Sequence, residues 1–451
     1  MSATTGRGGS GRIWMFAALY ALVSFALGAD RYVTYHSGSD LGLFTQSIAT
    51  VFHGFTNTTE NGSHFTFHFS PILYLCAPLL LATRSPLALI AIQAVACALV
   101  APPLYLLARR RLPAGIALAV ASVALLYPPL AGVAFGDFHE NAFAPAATLW
   151  LLWAVDARRW PLAAFFLAVT LSIKEDQAVL LAAAAAYGLV YFARRGERPG
   201  VVFSGAALVV SLAVFALFFG VIRKLAGAQD AWAPLHFYAW DRIVDAKGSA
   251  PWYSIGRPAY FLEALVPLLF VCLGSPLFLL ALPGFAECLF SHESVTYTMG
   301  THYAAVWIPY VLAAFVLGMA NLYAKRPRPA RILARVCLVL CAINLVFASP
   351  THWGHYLGAR TAHDVTLDRV LATLPRDLEA GTHDEIYAHL GLDPHISLGL
   401  ARKPRYVLID TSFAHSYWVE QMLPVVTQGV ASGSYKLISD QDGIALYQRL
   451  R

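Results

Sequence analysis

Charge is scarce in this chain. Only 13% of its 451 residues are Asp, Glu, Lys or Arg, about half the roughly 25% usual in a soluble domain. With 58% apolar residues and a mean hydropathy of +0.58, that scarcity excludes a disordered chain and an ordinary cytosolic protein. Nucleic-acid binding is excluded as well, because the net charge is only +6 and the cations sit at the ends of apolar runs instead of on one polar face. A disulfide framework is missing: Cys76, Cys97, Cys272, Cys288, Cys337 and Cys341 all lie inside apolar runs and read as buried thiols. No small-x-small cleavage site follows the first apolar run, so Ile13–Ala29 reads as an uncleaved first span. There is no P-loop, no dinucleotide-binding glycine fingerprint and no nucleophile elbow. No internal repeat is visible.

What the chain has instead is long apolar runs. A span takes about 20 mostly apolar residues. Eleven segments approach that: 12–30, 86–108, 114–134, 141–157, 160–173, 177–194, 200–222, 258–273, 276–290, 303–323 and 329–349. The pair within 258–290 also reads as one broken hairpin around Gly274-Ser275-Pro276. The run Pro71–Ala82 is too short to cross and reads as a re-entrant or interfacial helix. The expected fold is therefore an all-α polytopic membrane domain over 1–349, followed by a small α/β extracytoplasmic domain over 350–451.

Sidedness follows from the cations. With the N-terminus inside, the short inner loops hold fifteen Lys and Arg, among them the Arg109-Arg110-Arg111 cluster, and the longer outer loops before residue 350 hold eight. The chain is expected to run N-in, C-out. Every histidine then falls outside or in the tail, as do Asp40, Asp137, Glu140, Glu175, Asp176, Glu287 and Glu293. Longer outer loops explain part of that bias. They do not explain ionisable groups at span ends, where apolar residues cost less.

In the tail, Thr366–Leu374 and Phe413–Ala431 read as helices, and Glu385–Leu390 and Tyr406–Asp410 as strands. Tyr435–Ile438 with Ile444–Arg449 reads as a hairpin around Asp442-Gly443.

Four stretches carry candidate chemistry. Asp40, in Ser39-Asp40-Leu41-Gly42-Leu43-Phe44, sits where a helix begins and reads as an N-cap, a catalytic acid, or both. His64 and His68 are four residues apart, which suits a metal on a helix face, hydrogen bonds to phosphate or sugar, or simple anchoring. Asp137, His139 and Glu140 bring three ionisable groups to a membrane boundary, and read as lining a site or as a solvated loop. Lys174-Glu175-Asp176 interrupts an apolar stretch without Gly or Pro. Lys174 suits a phosphate as a point charge, and the neighbouring acids suit a hydroxyl or a structural ion pair. Aromatic outer segments, Trp232 to Trp252 and His302-Tyr303 among them, suit interfacial anchoring or sugar stacking.

Taken together, Asp40-Leu41-Gly42-Leu43-Phe44-x-Gln46, His68-Phe69-Ser70-Pro71, Asp137-Phe138-His139-x-x-Ala142-Phe143, Lys174-Glu175-Asp176 and the later His302-Tyr303 resemble a family of bacterial and archaeal polytopic membrane proteins. That family carries a domain of unknown function and is grouped with the GT-C superfamily of integral-membrane glycosyltransferases. The resemblance spans roughly residues 10–350, with a looser match at Ile386-x-x-His389-Leu390 and Tyr406–Asp410. It implies transfer of a sugar from a polyprenyl-phosphate-linked donor at the outer leaflet. Asp40 would be the general base that deprotonates the acceptor hydroxyl, with inversion at the anomeric carbon. Lys174 and Arg257 would stabilise the departing phosphate, and His68, His139 and His302 would donate hydrogen bonds. Some relatives bind a divalent metal through acids, here Asp40 with Asp137, Glu140 or Glu175. The usual acidic pair is absent, since Leu41 follows Asp40, and that favours a single base. Two other functions remain: a transporter or flippase for a lipid-linked or polar substrate, and a membrane-anchored binding protein. Transporters place ionisable groups near the bilayer midplane in paired halves, a pattern not seen here. Oligomeric state is not legible.

Overall fold

The computed structural model describes residues 7–230, 255–348, 353–375 and 377–450. The aromatic segment from Trp232 to Trp252 lies outside these described residues.

The apolar runs form helices, because a backbone in hydrocarbon must satisfy its own N–H and C=O groups. Six helices are long and apolar enough to cross: Ser10–Val33, Leu87–Arg109, Asp176–Ala193, Arg198–Leu225, Ile308–Lys325 and Pro327–Phe347. Ala114–Leu126 and Pro128–Phe135 make a seventh if joined across their 49° bend. Pro128 and Pro129 cause that bend, because neither can donate into the preceding turn. Helices Ala144–Asp156 and Trp160–Leu171 are shorter, at 13 and 12 residues. The region 256–289 breaks into short helical turns around Leu269 and Phe270, both at positive φ, and around Pro276. The eleven expected spans are thus long helices in some places and broken ones in others. Pro71–Thr83 forms a 3₁₀ turn and a seven-residue helix, too short to cross, as its length predicts. All six cysteines are buried free thiols.

Packing is close between the spans. Gly132 lies against the backbone of Gly300, and an added Cβ would meet the Gly300 Cα at 2.5 Å. That contact holds the loop before His302 down on the bent pair.

The loop after the first helix forms a helix, Ser39–Ala49, and a small hairpin of β1 (Thr56–Asn57) with β2 (Gly62–Ser63). The tail builds a five-stranded sheet in the order β4-β3-β5-β7-β6. Its strands are β3 (Ala380–Thr382), β4 (Ile396–Leu398), β5 (Tyr406–Asp410), β6 (Tyr435–Gln441) and β7 (Ile444–Arg449). β3 runs parallel to β4 and β5, and β7 runs antiparallel to β5 and β6. Helices Ala362–Thr373 and Tyr417–Ala431 form where the sequence predicts helices. Glu385–Leu390 does not form the expected strand. It belongs to the helix Asp384–Leu390, whose two turns are too few for alternation and helical periodicity to differ.

The tail rests on the first loop. Gln46 Nε2 donates to the Asp393 carbonyl at 2.7 Å, and Thr58 Oγ1 to the Ile396 carbonyl at 2.7 Å. Tyr387 Oη meets Gln46 Oε1 at 3.1 Å. His389 stacks between Tyr32 and Tyr35, with ring centroids 4.1 and 4.0 Å away. Gly42 is required here, because a Cβ would fall 2.5 Å from the Tyr387 ring. Tail and first loop therefore share one end of the molecule.

Candidate functional site

Helix Ser39–Ala49 sets the position of Asp40. Its N-cap is Gly38, whose N–H donates to Asp137 Oδ2 at 2.8 Å. Asp40 therefore does not cap the helix, as its position in the sequence suggests. It lies in the first turn with its carboxylate uncommitted to capping, because a carboxylate from another loop does that work. Asp137 is anchored in turn by Arg31, with Nη1 3.0 Å from Oδ1.

Asp40 and Phe44 are four residues apart and lie on the same helix face. The Phe44 ring packs 4.9 Å from His139 and 5.4 Å from His64. His139 stacks on His302 at 3.6 Å, with the rings within 14° of parallel. One helix face thus joins the first loop, the Asp137–Glu140 loop and the start of the span at Ile308.

These groups border a cavity of about 370 Å³. His68, His139, Lys174, Glu175, Asp176, His302 and Tyr303 line it, with Phe215, Phe219 and Phe290 on its apolar side. Apolar walls with a few convergent polar groups are the usual form of a ligand site. Asp40, His64, Asp137 and Glu140 are not part of the lining. Arg257 is also outside it, and reaches the carbonyls of Leu289 and Ser291 while covering the Tyr297 ring. It braces Ser291, a wall residue, and does not itself face the cavity.

The histidines of the first loop do not share a metal. Pro71 cuts the segment short, and His64–Thr66 makes a single 3₁₀ turn. His64 Nδ1 takes Glu60 at 3.0 Å, and His68 Nδ1 takes Glu175 at 2.8 Å. Glu175 Oε2 also accepts from the Phe69 N–H at 2.8 Å. Among the described residues no three His, Cys, Asp or Glu side chains converge to hold a metal ion. The proposed acid set does not fit one: Asp137 is spent on Arg31 and Gly38, Glu140 faces His139 Nδ1 at 2.9 Å, and Glu175 is spent on His68 and Phe69.

Burial shapes the charges. Burial, then the Asp137 and Glu140 carboxylates, push the Asp40 carboxyl up to about 7. Burial opposes the charge on Lys174, but Asp176, Glu140 and Glu175 outweigh it and keep the ammonium protonated. Burial likewise opposes ionisation of Glu140, and the facing His139 and Lys174 overcome it. His302 is driven neutral by burial, then by His139 and Lys174. Glu140 Oε2 faces His139 Nδ1 at 2.9 Å, but Glu140 Oε1 and Nε2 of His64 and His302 are buried without a hydrogen-bond partner. Each such atom costs about 1–3 kcal/mol, a cost that a bound ligand would offset.

Four further groups belong here. Arg31 and Glu60 hold Asp137 and His64. Glu287 lines the cavity, and its signal was an acid within an apolar run. Asp384 comes from the tail, on a helix that packs against helix Ser39–Ala49; burial, then the charges of Glu385, Asp137 and Asp40, raise it to about 7. Nothing in the spacing of the sequence brings residue 384 to the first loop.

The family model described as a predicted membrane protein, DUF2079, matches residues 31–357. No curated protein matches the sequence. The crystal structure of ArnT from Cupriavidus metallidurans bound to undecaprenyl phosphate superposes with a TM-score of 0.56 at 12% identity. The match covers 97% of this chain and 98% of that one. The apo structure of ArnT from the same organism gives 0.57 at 13% identity, over 97% of each chain.

Proposed function

The chain belongs to the DUF2079 family of predicted membrane proteins and has the GT-C-like fold of ArnT, and we propose that it is a glycosyltransferase using a polyprenyl-phosphate-linked sugar at the outer face of the membrane. One observation carries this: a cavity with an apolar side gathers the Lys174 ammonium and the imidazoles of His68, His139 and His302 at the end of the molecule that also holds Asp40. That set suits a phosphate attached to a lipid. The ammonium of Lys174 meets charge, and the imidazole N–H groups meet phosphate or sugar oxygens. ArnT was solved with undecaprenyl phosphate, a ligand of this chemistry.

In the proposed reaction the acceptor hydroxyl gives its proton to the Asp40 carboxylate. The oxygen attacks the anomeric carbon, the bond from that carbon to the phosphate oxygen breaks, and the polyprenyl phosphate leaves with the electron pair. A carboxyl near 7 is well matched to base catalysis at neutral pH. Lys174 stabilises the charge on the leaving phosphate. No step is assigned to a metal. The tail packs on the first loop through helix Asp384–Leu390.

Asp40→Asn tests the reading. In full-length protein given a polyprenyl-phosphate sugar, transfer should fall by about 10²–10⁴, the usual loss for a missing general base, with donor binding retained. Transfer at the parent rate would rule out this role for Asp40.

A further inference from the structure

The opposite end of the molecule carries a second feature, independent of the transfer chemistry. Helix Ala144–Asp156 starts beside Glu140 and ends at Asp156, and helix Asp176–Ala193 starts at the cavity and ends beside Arg194. At about 1.5 Å per residue these helices separate the two ends by roughly 20–27 Å. At the far end, Arg110 and Arg111 share Asp156, and Arg158 pairs with Glu197.

Two apolar recesses open there. One, of about 510 Å³, runs between Leu151, Leu181, Ala184 and Leu280, with Arg111 and Arg195 in its wall. The other is a shallow, open groove formed by Trp160, Pro161, Ala164 and Val202, with Arg198 in its wall. Phe203 belongs to both. Arg195 and Arg198 are exposed. Arg195 lies over the Tyr191 ring at 4.1 Å, and among the described residues neither arginine has a carboxylate within ion-pair distance.

We propose that the recesses either side of Phe203 seat the two chains of an anionic diacyl phospholipid, with its phosphate on Arg195 and Arg198. Two grooves flanking one ring fit two chains that diverge from one headgroup. A single polyprenyl chain would fill only one of them. The headgroup is anionic because, among the described residues, this end has many cations and only two acids, Asp156 and Glu197, both already paired. Basic pockets between spans on the cytoplasmic side are a recurrent form of acidic-lipid recognition. On the cation bias, this is the inner leaflet.

The test uses the full chain in neutral detergent, with thermal unfolding and native mass spectrometry as readouts. Phosphatidylglycerol should raise Tm and stay bound, and phosphatidylcholine should do neither. Arg195→Gln with Arg198→Gln should lose the shift while keeping the lipid-free Tm, and Ala184→Phe should lose it by filling the first recess. If Ala184→Phe does not fold, the double arginine variant decides. An equal response to phosphatidylcholine, or a phosphatidylglycerol shift that survives Arg195→Gln with Arg198→Gln, would overturn the proposal. So would a decaprenyl phosphate shift that exceeds that of phosphatidylglycerol and depends on the same arginines.

Discussion

Asp40 titrates in a range carboxylates ordinarily leave far below, and this sets a pH dependence. Its base form is the active one, so kcat/KM should fall as pH drops through about 7. Glu140 contributes to that raised value. Glu140→Gln removes a negative neighbour, so the acid limb should move to lower pH. A pH profile of both proteins checks this, and an unmoved limb would show that another group controls it. Lys174 tests the leaving-group side. Lys174→Met should depress kcat more than donor affinity if the ammonium acts mainly on charge developing in the transition state; equal losses in both would assign it to ground-state binding. Asp40, His68, His139 and Lys174 were all legible in the sequence, because ionisable groups at the ends of apolar runs stand out. Their division of labour was not. Asp137 looks like a lining residue in sequence, yet it caps the Asp40 helix and pairs with Arg31, and only tertiary structure shows which acids are already spent.

The helix Asp384–Leu390 joins tail to membrane domain, and its contacts are individually testable. His389 is held near 4 by burial, despite its hydrogen bond to the Tyr32 carbonyl at 3.0 Å. The unfolded imidazole takes its proton near 6.5. Between those values the unfolded chain binds more protons, so stability falls as pH drops from about 6.5 toward about 4, by up to about 3 kcal/mol. Thermal unfolding across pH 7 to 4 should show this slope, and His389→Phe, which retains the stacking, should flatten it. Gly42→Val offers a second check, because its side chain would meet the Tyr387 ring. The tail should then become sensitive to limited proteolysis while the membrane helices stay intact; unchanged protection would mean that the two do not depend on this contact. This element was misread as a strand for a physical reason. Its apolar residues alternate, and seven residues are too few to separate the two periods. The three-residue strands β3 and β4 were equally invisible, since a parallel pair that short exists only by virtue of its neighbours.

At the scale of the whole molecule, polarity along the membrane normal organises everything else. Buried imidazoles, carboxylates and the tail gather at one end, and arginines at the other, where Arg110, Arg111 and Arg158 pair with Asp156 and Glu197. Moving such arginines through hydrocarbon is costly, which favours the proposed orientation, with the arginine end in the cytosol and the Asp40 end facing out. The span count does not decide this. Several crossings are broken by prolines or short turns, which blurs hydropathy over 256–289 in particular, whereas the charge asymmetry is distributed over the whole chain. The six native cysteines are buried, so a single introduced cysteine reports its own exposure against a low background. With a maleimide that does not cross membranes, Ser434→Cys in the tail should be labelled on intact cells or spheroplasts. Arg328→Cys, in the exposed first turn of the final span, should be labelled only after the membrane is opened. The reverse pattern would put Asp40 in the cytosol. It would then remove the outer-leaflet donor from the proposed reaction and move the anionic-lipid recesses to the outer leaflet.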